Sequence, residues 1–253
     1  MDVKRYLERI GISEYEGLNA NLDLLKKLQS AHIMNVPYEN IDIISGKAIS
    51  LDEADIYGKI VTRHRGGYCF ELNALFEKLL LGLGFRVESY FARFLRGQDA
   101  VPVRRHRVLV VTLGDERYMA DVGIGSPSPR VPLLLKAGIT QEYFGECYRF
   151  ERDDFLGWVL YEKHDGNWRK YLSFTEEKQL DIDFIQPSFY CEKHPDSIFN
   201  KALMVAIKTP SGRKTVDKDV FKIFEGNSLV YIKENLTDAE LKEILSAEFG
   251  INI

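Results

Sequence analysis

Cysteine is scarce in this 253-residue chain: Cys69, Cys147 and Cys191 are all there is, and they lie far apart. An odd, scattered set excludes a disulfide framework and leaves at least one free thiol. An excess of one charge is also lacking. Against 38 acidic residues stand 34 basic ones, and a net charge of −4 is no footprint of a nucleic-acid binder. No apolar run approaches the ~20 residues that cross a bilayer. The opening MDVKRYLERIG mixes charges with apolar residues where a signal peptide would carry an apolar block. A cytoplasmic chain with no nucleic-acid or membrane partner is expected. Repeats, low-complexity tracts and Pro/Gly/Ser-rich linkers are missing as well, so its regions should pack closely. What is present is core material: 45% hydrophobic residues and an aromatic share of 12%, which disordered chains do not carry.

The pattern divides the chain into thirds. Residues 1–85 read as a helical bundle. Asp2 caps a helix bearing Tyr6, Leu7 and Ile10, and Asn21 precedes Leu22, Leu25 and Leu28 on one helical face. Ser50 with Glu53 has the form of a capping box opening a helix over 51–61. A fourth helix starts near Cys69 and stops at Gly82 and Gly84. Residues 86–190 read as antiparallel β, with Gly114-Asp115 and Asp165-Gly166 as hairpin turns. Residues 191–253 mix short strands with a final helix capped by Thr237 and Glu240. The fold class is therefore α+β.

The segment Arg65-Gly66-Gly67-Tyr68-Cys69-Phe70-Glu71-Leu72-Asn73 carries the chemistry. Glycines permit a tight turn or a close approach, and a thiol at a helix N-terminus is expected to have a lowered pKa. Such a nucleophile needs a base. Of five histidines, His164 sits in a turn and His64 lies between two arginines, whereas His106 lies within a hydrophobic strand. If Gly114-Asp115 closes a two-residue hairpin, Leu113 pairs with Glu116 and Val108 falls opposite Asp121. His106 and Asp121 then share a sheet face as diagonal neighbours, about 7–8 Å apart by Cα. A carboxylate there can orient the imidazole, as the third member of a triad does.

These motifs, with His32-x-x-x-Val36-Pro37-Tyr38-Glu39-Asn40, Asp121-Val122-Gly123-Ile124-Gly125, and His194-Pro195-Asp196-Ser197-x-Phe199 before Gly212-Arg213, resemble the arylamine N-acetyltransferase family. The resemblance runs in order from about Arg9 to Arg213. It implies a helical bundle, a β-barrel and an α/β lid around a cysteine-protease-like core, with Cys69, His106 and Asp121 as the triad. It implies acetyl-CoA as co-substrate, an acetyl thioester on Cys69, and an aromatic amine or hydrazine as acceptor. CoA contacts are expected from Gly125 and Ser126 in the loop 123–130, with Arg130 solvated beside them. Tyr38, Ile124 and Phe199 are expected at the acceptor pocket. Tyr38 and Ile124 stand where the family often has Phe, which puts acceptor preference in question. Arg9, Glu39 and Arg65 are expected to brace the bundle against the cysteine loop. The oxyanion is left to backbone N–H groups near Cys69 or Gly123.

Cys191-x-x-His194 offers two ligands where a structural zinc usually takes four, so no metal is expected. Two other readings compete. A papain-like cysteine hydrolase or amidase would use the same triad with water as acceptor. A non-catalytic CoA-binding protein would leave Cys69 idle.

Overall fold

A computed structural model describes residues 1–13 and 17–253. Local sequence signals explain most of its helix starts. The Asp2 side chain accepts from Arg5 N at the head of helix Val3–Arg9, and Asn21 accepts from Leu24 N at the head of Leu22–Asn35. Thr237 and Glu240 close a reciprocal capping box on Asp238–Phe249, which ends at Gly250 with φ +67°. The expected box at Ser50 does not form. Asp52 is the cap instead, because its carboxylate reaches the N–H groups of both Ala54 and Asp55, while the Ser50 hydroxyl donates to Asp55 Oδ2 at 2.6 Å. The helix over 51–61 becomes an α-helix, Glu53–Tyr57, running into a wide π-turn at Gly58–Thr62. The end of the stretch 86–190 is helical and not β: a 3-10 turn, Asp181–Phe184, continues as helix Ile185–Lys193 across position 190.

Eight antiparallel strands form the central sheet. Their order is Leu133–Leu134, Glu116–Ala120, His106–Leu113, Arg86–Phe94, Asn167–Gln179, Gly157–His164, Glu146–Asp153 and Thr140–Tyr143. The sheet curls into a nearly closed barrel. Where its two edges meet, the Gln141 carboxamide supplies what a strand would: Leu134 N donates to its Oε1 at 2.7 Å, and its Nε2 donates to Leu134 O at 2.9 Å. The barrel is filled by Tyr90, Val108, Val110, Phe150, Leu160, Tyr171 and Phe174 among others.

The hairpin at Gly114-Asp115 has the expected register. Gly114 takes φ +59°, as the first position of a II′ turn requires, and pairs run from Leu113–Glu116 to Leu109–Ala120. Even-numbered residues of His106–Leu113 therefore face the barrel interior. Odd-numbered ones face the helices, where Leu109 and Val111 join Cys69, Leu72 and Phe76 in one core. Arg107, also on that outer face, is fully buried. It donates to Ser89 Oγ, Glu77 and Asp181 and lies over the Phe184 ring.

A second sheet has the order Tyr38–Glu39, Met204–Lys208, Gly212–Asp217, Val220–Glu225 and Ser228–Lys233. Its first strand comes from the helical third of the chain. Tyr38 pairs with Ala206 on one side and bridges Gly67 on the other. This short strand fastens the cysteine loop to the C-terminal sheet. The final helix covers that sheet with Leu245 and Phe249 against Val216 and Phe221.

Candidate active site

The cysteine loop is held by a buried ion cluster. Arg65 Nη2 meets Glu39 Oε1 at 2.8 Å and Asp42 Oδ1 at 3.2 Å. Lys59 Nζ meets Asp42 Oδ2 at 2.8 Å and Glu71 Oε1 at 2.9 Å. Glu71 also accepts from Tyr68 N, which ends the loop and starts helix Cys69–Gly82. Arg9 donates to the carbonyls of Ile60, Asn35, His64 and Arg65. Gly66 has a packing reason: a Cβ there would stand 2.0 Å from Pro37 O.

That scaffold puts Cys69 at the first position of its helix, buried, with its thiol donating to Arg105 O at 3.8 Å. The expected lowering of its pKa is not what results. Burial pushes the thiol well above its ordinary range, and the neighbouring Cys191 and Asp121 add to this; the Phe70 N–H and Arg105 act in the opposite direction but are outweighed.

His106 and Asp121 come together as the hairpin register requires. Nε2 of His106 lies 2.6 Å from Asp121 Oδ2, with both residues buried. An ionised carboxylate only accepts, so Nε2 carries the proton and Nδ1 is the basic nitrogen. The other carboxylate oxygen of Asp121 is saturated by Asn73 Nδ2 and Gly123 N, each at 2.9 Å. Asn73 is the centre of this side of the site. It also donates to Arg107 O at 2.7 Å and accepts from Val122 N at 3.0 Å. Gly123 is needed because a Cβ would lie 2.7 Å from both Asn73 Nδ2 and Cys69 Cα. Gln29 adds a further support, accepting from Asp121 N and donating to Pro129 O.

Cys69 and His106 open into one cavity of about 230 Å³, with Tyr38, Ile124, Phe199 and Arg105 among its lining. Tyr38 and Phe199 are buried at its walls, and the Arg105 guanidinium lies 5.6 Å from the Phe199 ring centre. The other histidines stand apart. His64 and His164 are exposed, His194 stacks on Tyr190, and His32 is buried against Tyr6 and Phe76.

The loop after Gly123 leads to a second, polar cavity of about 180 Å³, whose lining includes Ser126, Arg96, Lys208, Arg213 and Glu146. Arg96 and Pro127 line both cavities. Gly125 has φ +79° and packs against the Tyr38 ring. Arg130 is not solvated as expected: it is 8% exposed and donates to Thr209 O and Gly212 O, tying the loop to the second sheet. Among the described residues, no group of three or more His, Cys, Asp or Glu is placed to hold a metal ion. No helix among them is long and apolar enough to cross a membrane.

Comparison with known proteins decides the family. The family model described as N-acetyltransferase matches residues 21–253, and an arylamine N-acetyltransferase of Escherichia coli (strain K12) is 33% identical over 99% of this chain and 89% of its own length. The chain belongs to the arylamine N-acetyltransferase family. It is accordingly an acyltransferase. The solved Salmonella typhimurium arylamine N-acetyltransferase superposes with a TM-score of 0.93 at 30% identity, covering 98% of this chain and 90% of that one. The Mycobacterium marinum arylamine N-acetyltransferase, solved in complex with CoA, superposes at 0.91 with 31% identity, covering 99% and 93%.

For a member of the arylamine N-acetyltransferase family, three site residues had no role assigned from the sequence. Asn73 stands four positions after Cys69, one helical turn on and on the same face, so its spacing was a usable signal. Arg105 adjoins His106 in sequence but points into the cavity from beyond the strand end. Gln29 acts across 92 residues, and no local pattern marks it.

Proposed function

We propose that this arylamine N-acetyltransferase family member moves an acetyl group from acetyl-CoA to an aromatic amine or hydrazine through a thioester on Cys69. The supporting observation is one cavity shared by Cys69 and His106, with His106 fixed through Nε2 on Asp121 at 2.6 Å. Nδ1 of His106, the ring nitrogen turned away from Asp121, takes the Cys69 proton, and the sulfur so activated attacks the thioester carbonyl. Asp121 stabilises the imidazolium so formed. The tetrahedral intermediate collapses by losing CoA thiolate, which takes the proton from His106. The amine then attacks the acetyl carbonyl, His106 accepts the amine proton, and Cys69 regains a proton on departure. Since Gly123 N–H is engaged by Asp121, the oxyanion falls to the helix N-terminus, where Cys69 N–H has no partner carbonyl inside the helix.

The polar cavity suits the phosphates of CoA. Lys208 is lowered first by burial, with Arg130 and Arg213 adding to it, and Arg213 is lowered by burial and then by Arg96. Cations that crowd one another in this way, with Glu146 as a partial counter-charge, are relieved by a polyanion. Ser126 faces the same space. Tyr38, Ile124 and Phe199 would contact the acceptor ring. In this reading the helical third (1–85) carries the nucleophile, the barrel (86–190) carries His106 and Asp121, and the last third (191–253) acts as a lid.

Intact-mass measurement after brief exposure to acetyl-CoA without acceptor tests the reading. The wild type should gain one acetyl group, about 42 Da, and lose it to an arylamine, while Cys69→Ala gains none. Rapid amide cleavage in the absence of CoA, with no acetyl adduct, would instead establish the hydrolase.

A further inference from the structure

The thiol of Cys191 is unused by this chemistry, yet it lies beside Cys69. Cys191 is fully buried in helix Ile185–Lys193, and its Sγ donates to Arg105 O at 4.0 Å. That is the carbonyl to which Cys69 Sγ donates at 3.8 Å. Two sulfurs on one oxygen can be no farther apart than the sum of those distances, about 8 Å, and any angle at the oxygen brings them closer. A second observation agrees: after burial, Cys191 is the largest contributor to the raised pKa of Cys69. Cys191 itself lies two residues before the end of its helix.

We infer that Cys191 is the resolving thiol for Cys69, so that a peroxide converts the pair into a Cys69–Cys191 disulfide that closes the active site reversibly. Cys69 sulfur attacks one peroxide oxygen. The O–O bond breaks, sulfur is oxidised by two electrons to a sulfenic acid, and the departing hydroxide leaves as water with the thiol proton. Cys191 sulfur then attacks the sulfenic sulfur. The S–S bond forms, the S–O bond breaks, and hydroxide leaves as a second water with the Cys191 proton. Two thiols and one peroxide thus give one disulfide and two waters. A dithiol reductant restores both thiols. With Cys191 absent, further peroxide carries Cys69 to sulfinic acid, which such reductants do not reverse. Cys147 supplies an internal control, since it lies in strand Glu146–Asp153 and lines the polar cavity instead.

The test treats the full chain with hydrogen peroxide, blocks free thiols with iodoacetamide, and maps peptides without reduction. Expected is a loss of about 2 Da in the intact mass taken before the thiols are blocked, and a linked peptide pair containing Cys69 and Cys191. Acetyl transfer, read relative to each variant's own untreated rate, should return with dithiothreitol in the wild type and in Cys147→Ser. In Cys191→Ser and Cys191→Ala the linked pair should vanish, a gain of about 32 Da should appear on Cys69, and the recovered fraction should drop at least about tenfold. Equal recovery in the Cys191 variants, or a linked pair that involves Cys147, overturns the inference. The mass readout does not require Cys69 to carry an acetyl group, so failure of the acyl-transfer reading and failure of this one separate cleanly.

Discussion

The two halves of the candidate site are held by different physics. The cysteine half hangs on charge: Arg65 and Lys59 against Glu39, Asp42 and Glu71, with Arg9 gathering four carbonyls. The His106–Asp121 half hangs on neutral amides: Asn73, Gln29 and the backbone N–H of Gly123. The difference follows from what each half must keep. A loop with little core of its own can be clamped by strong, desolvated ion pairs set away from the reacting atoms. A carboxylate that has to orient an imidazole tolerates hydrogen-bond donors, but a cation beside it would compete for its charge.

The contrast predicts a split between stability and activity. Its largest expected effect is in the charged half. Glu39→Gln removes the charge facing Arg65 Nε and Nη2 and leaves a buried guanidinium underpaired. Breaking one partner of a buried pair costs about 3–5 kcal/mol. Chemical denaturation should show a loss of that size, with kcat per folded molecule nearly kept. A fall in kcat as large as the fall in stability would mean that the clamp also shapes the reacting geometry, and the proposed division would fail.

The amide half should behave the other way. Asn73→Ala frees Asp121 Oδ1 from one donor and leaves Arg107 O and Val122 N without a side-chain partner. Misplacing a catalytic group by an ångström costs about 10²-fold in rate. We expect kcat/KM to fall by about that factor. The pH profile of acetylation should change with it, because Asp121 would hold the imidazole less firmly. Steady-state kinetics across pH on the folded variant checks this, and a rate within about threefold of wild type would demote Asn73 to packing.

How much of this was legible in the sequence follows the same divide. The helix starts at Asp2, Asn21 and Thr237 were readable because capping is local. The alignment of His106 with Asp121 was readable because a two-residue turn fixes register over a whole hairpin. Ser50 was misread because a competing cap, Asp52, stood two residues on, and nothing local ranks the two. Arg130 was misread as solvated because its partners, the carbonyls of Thr209 and Gly212, lie about eighty residues away. Gln29 and the convergence of the Cys69 and Cys191 thiols on Arg105 O share that cause: each joins residues of ordinary type that lie far apart in the chain. Burial of Cys69 likewise overrode the helix N-terminus, a local effect that the sequence does display.

The smallest expected effect concerns acid, and it belongs to the helical half. His32 is fully buried between Tyr6 and Phe76, and burial pushes its pKa from 6.5 down to about 3. Between those values the unfolded chain binds a proton that the folded chain refuses. The stability linked to His32 is therefore whole above pH 6.5 and drains as pH falls toward about 3, by up to about 1.4 kcal/mol per unit. His32→Phe, which keeps a ring against Phe76, should flatten that slope in denaturation curves taken between pH 6.5 and 4.5. Its expected cost at neutral pH is modest, because the bond lost is the long one to Tyr6 OH at 3.3 Å. An unchanged slope would move the acid sensitivity to the carboxylates of the clamp. Asp42 is the first candidate there: burial raises it, but Lys59 and Arg65 together hold it below its ordinary range, so its share too is lost on acidification. Measuring His32→Phe beside Glu39→Gln would thus show whether the helical half yields to acid through its core or through its ion cluster.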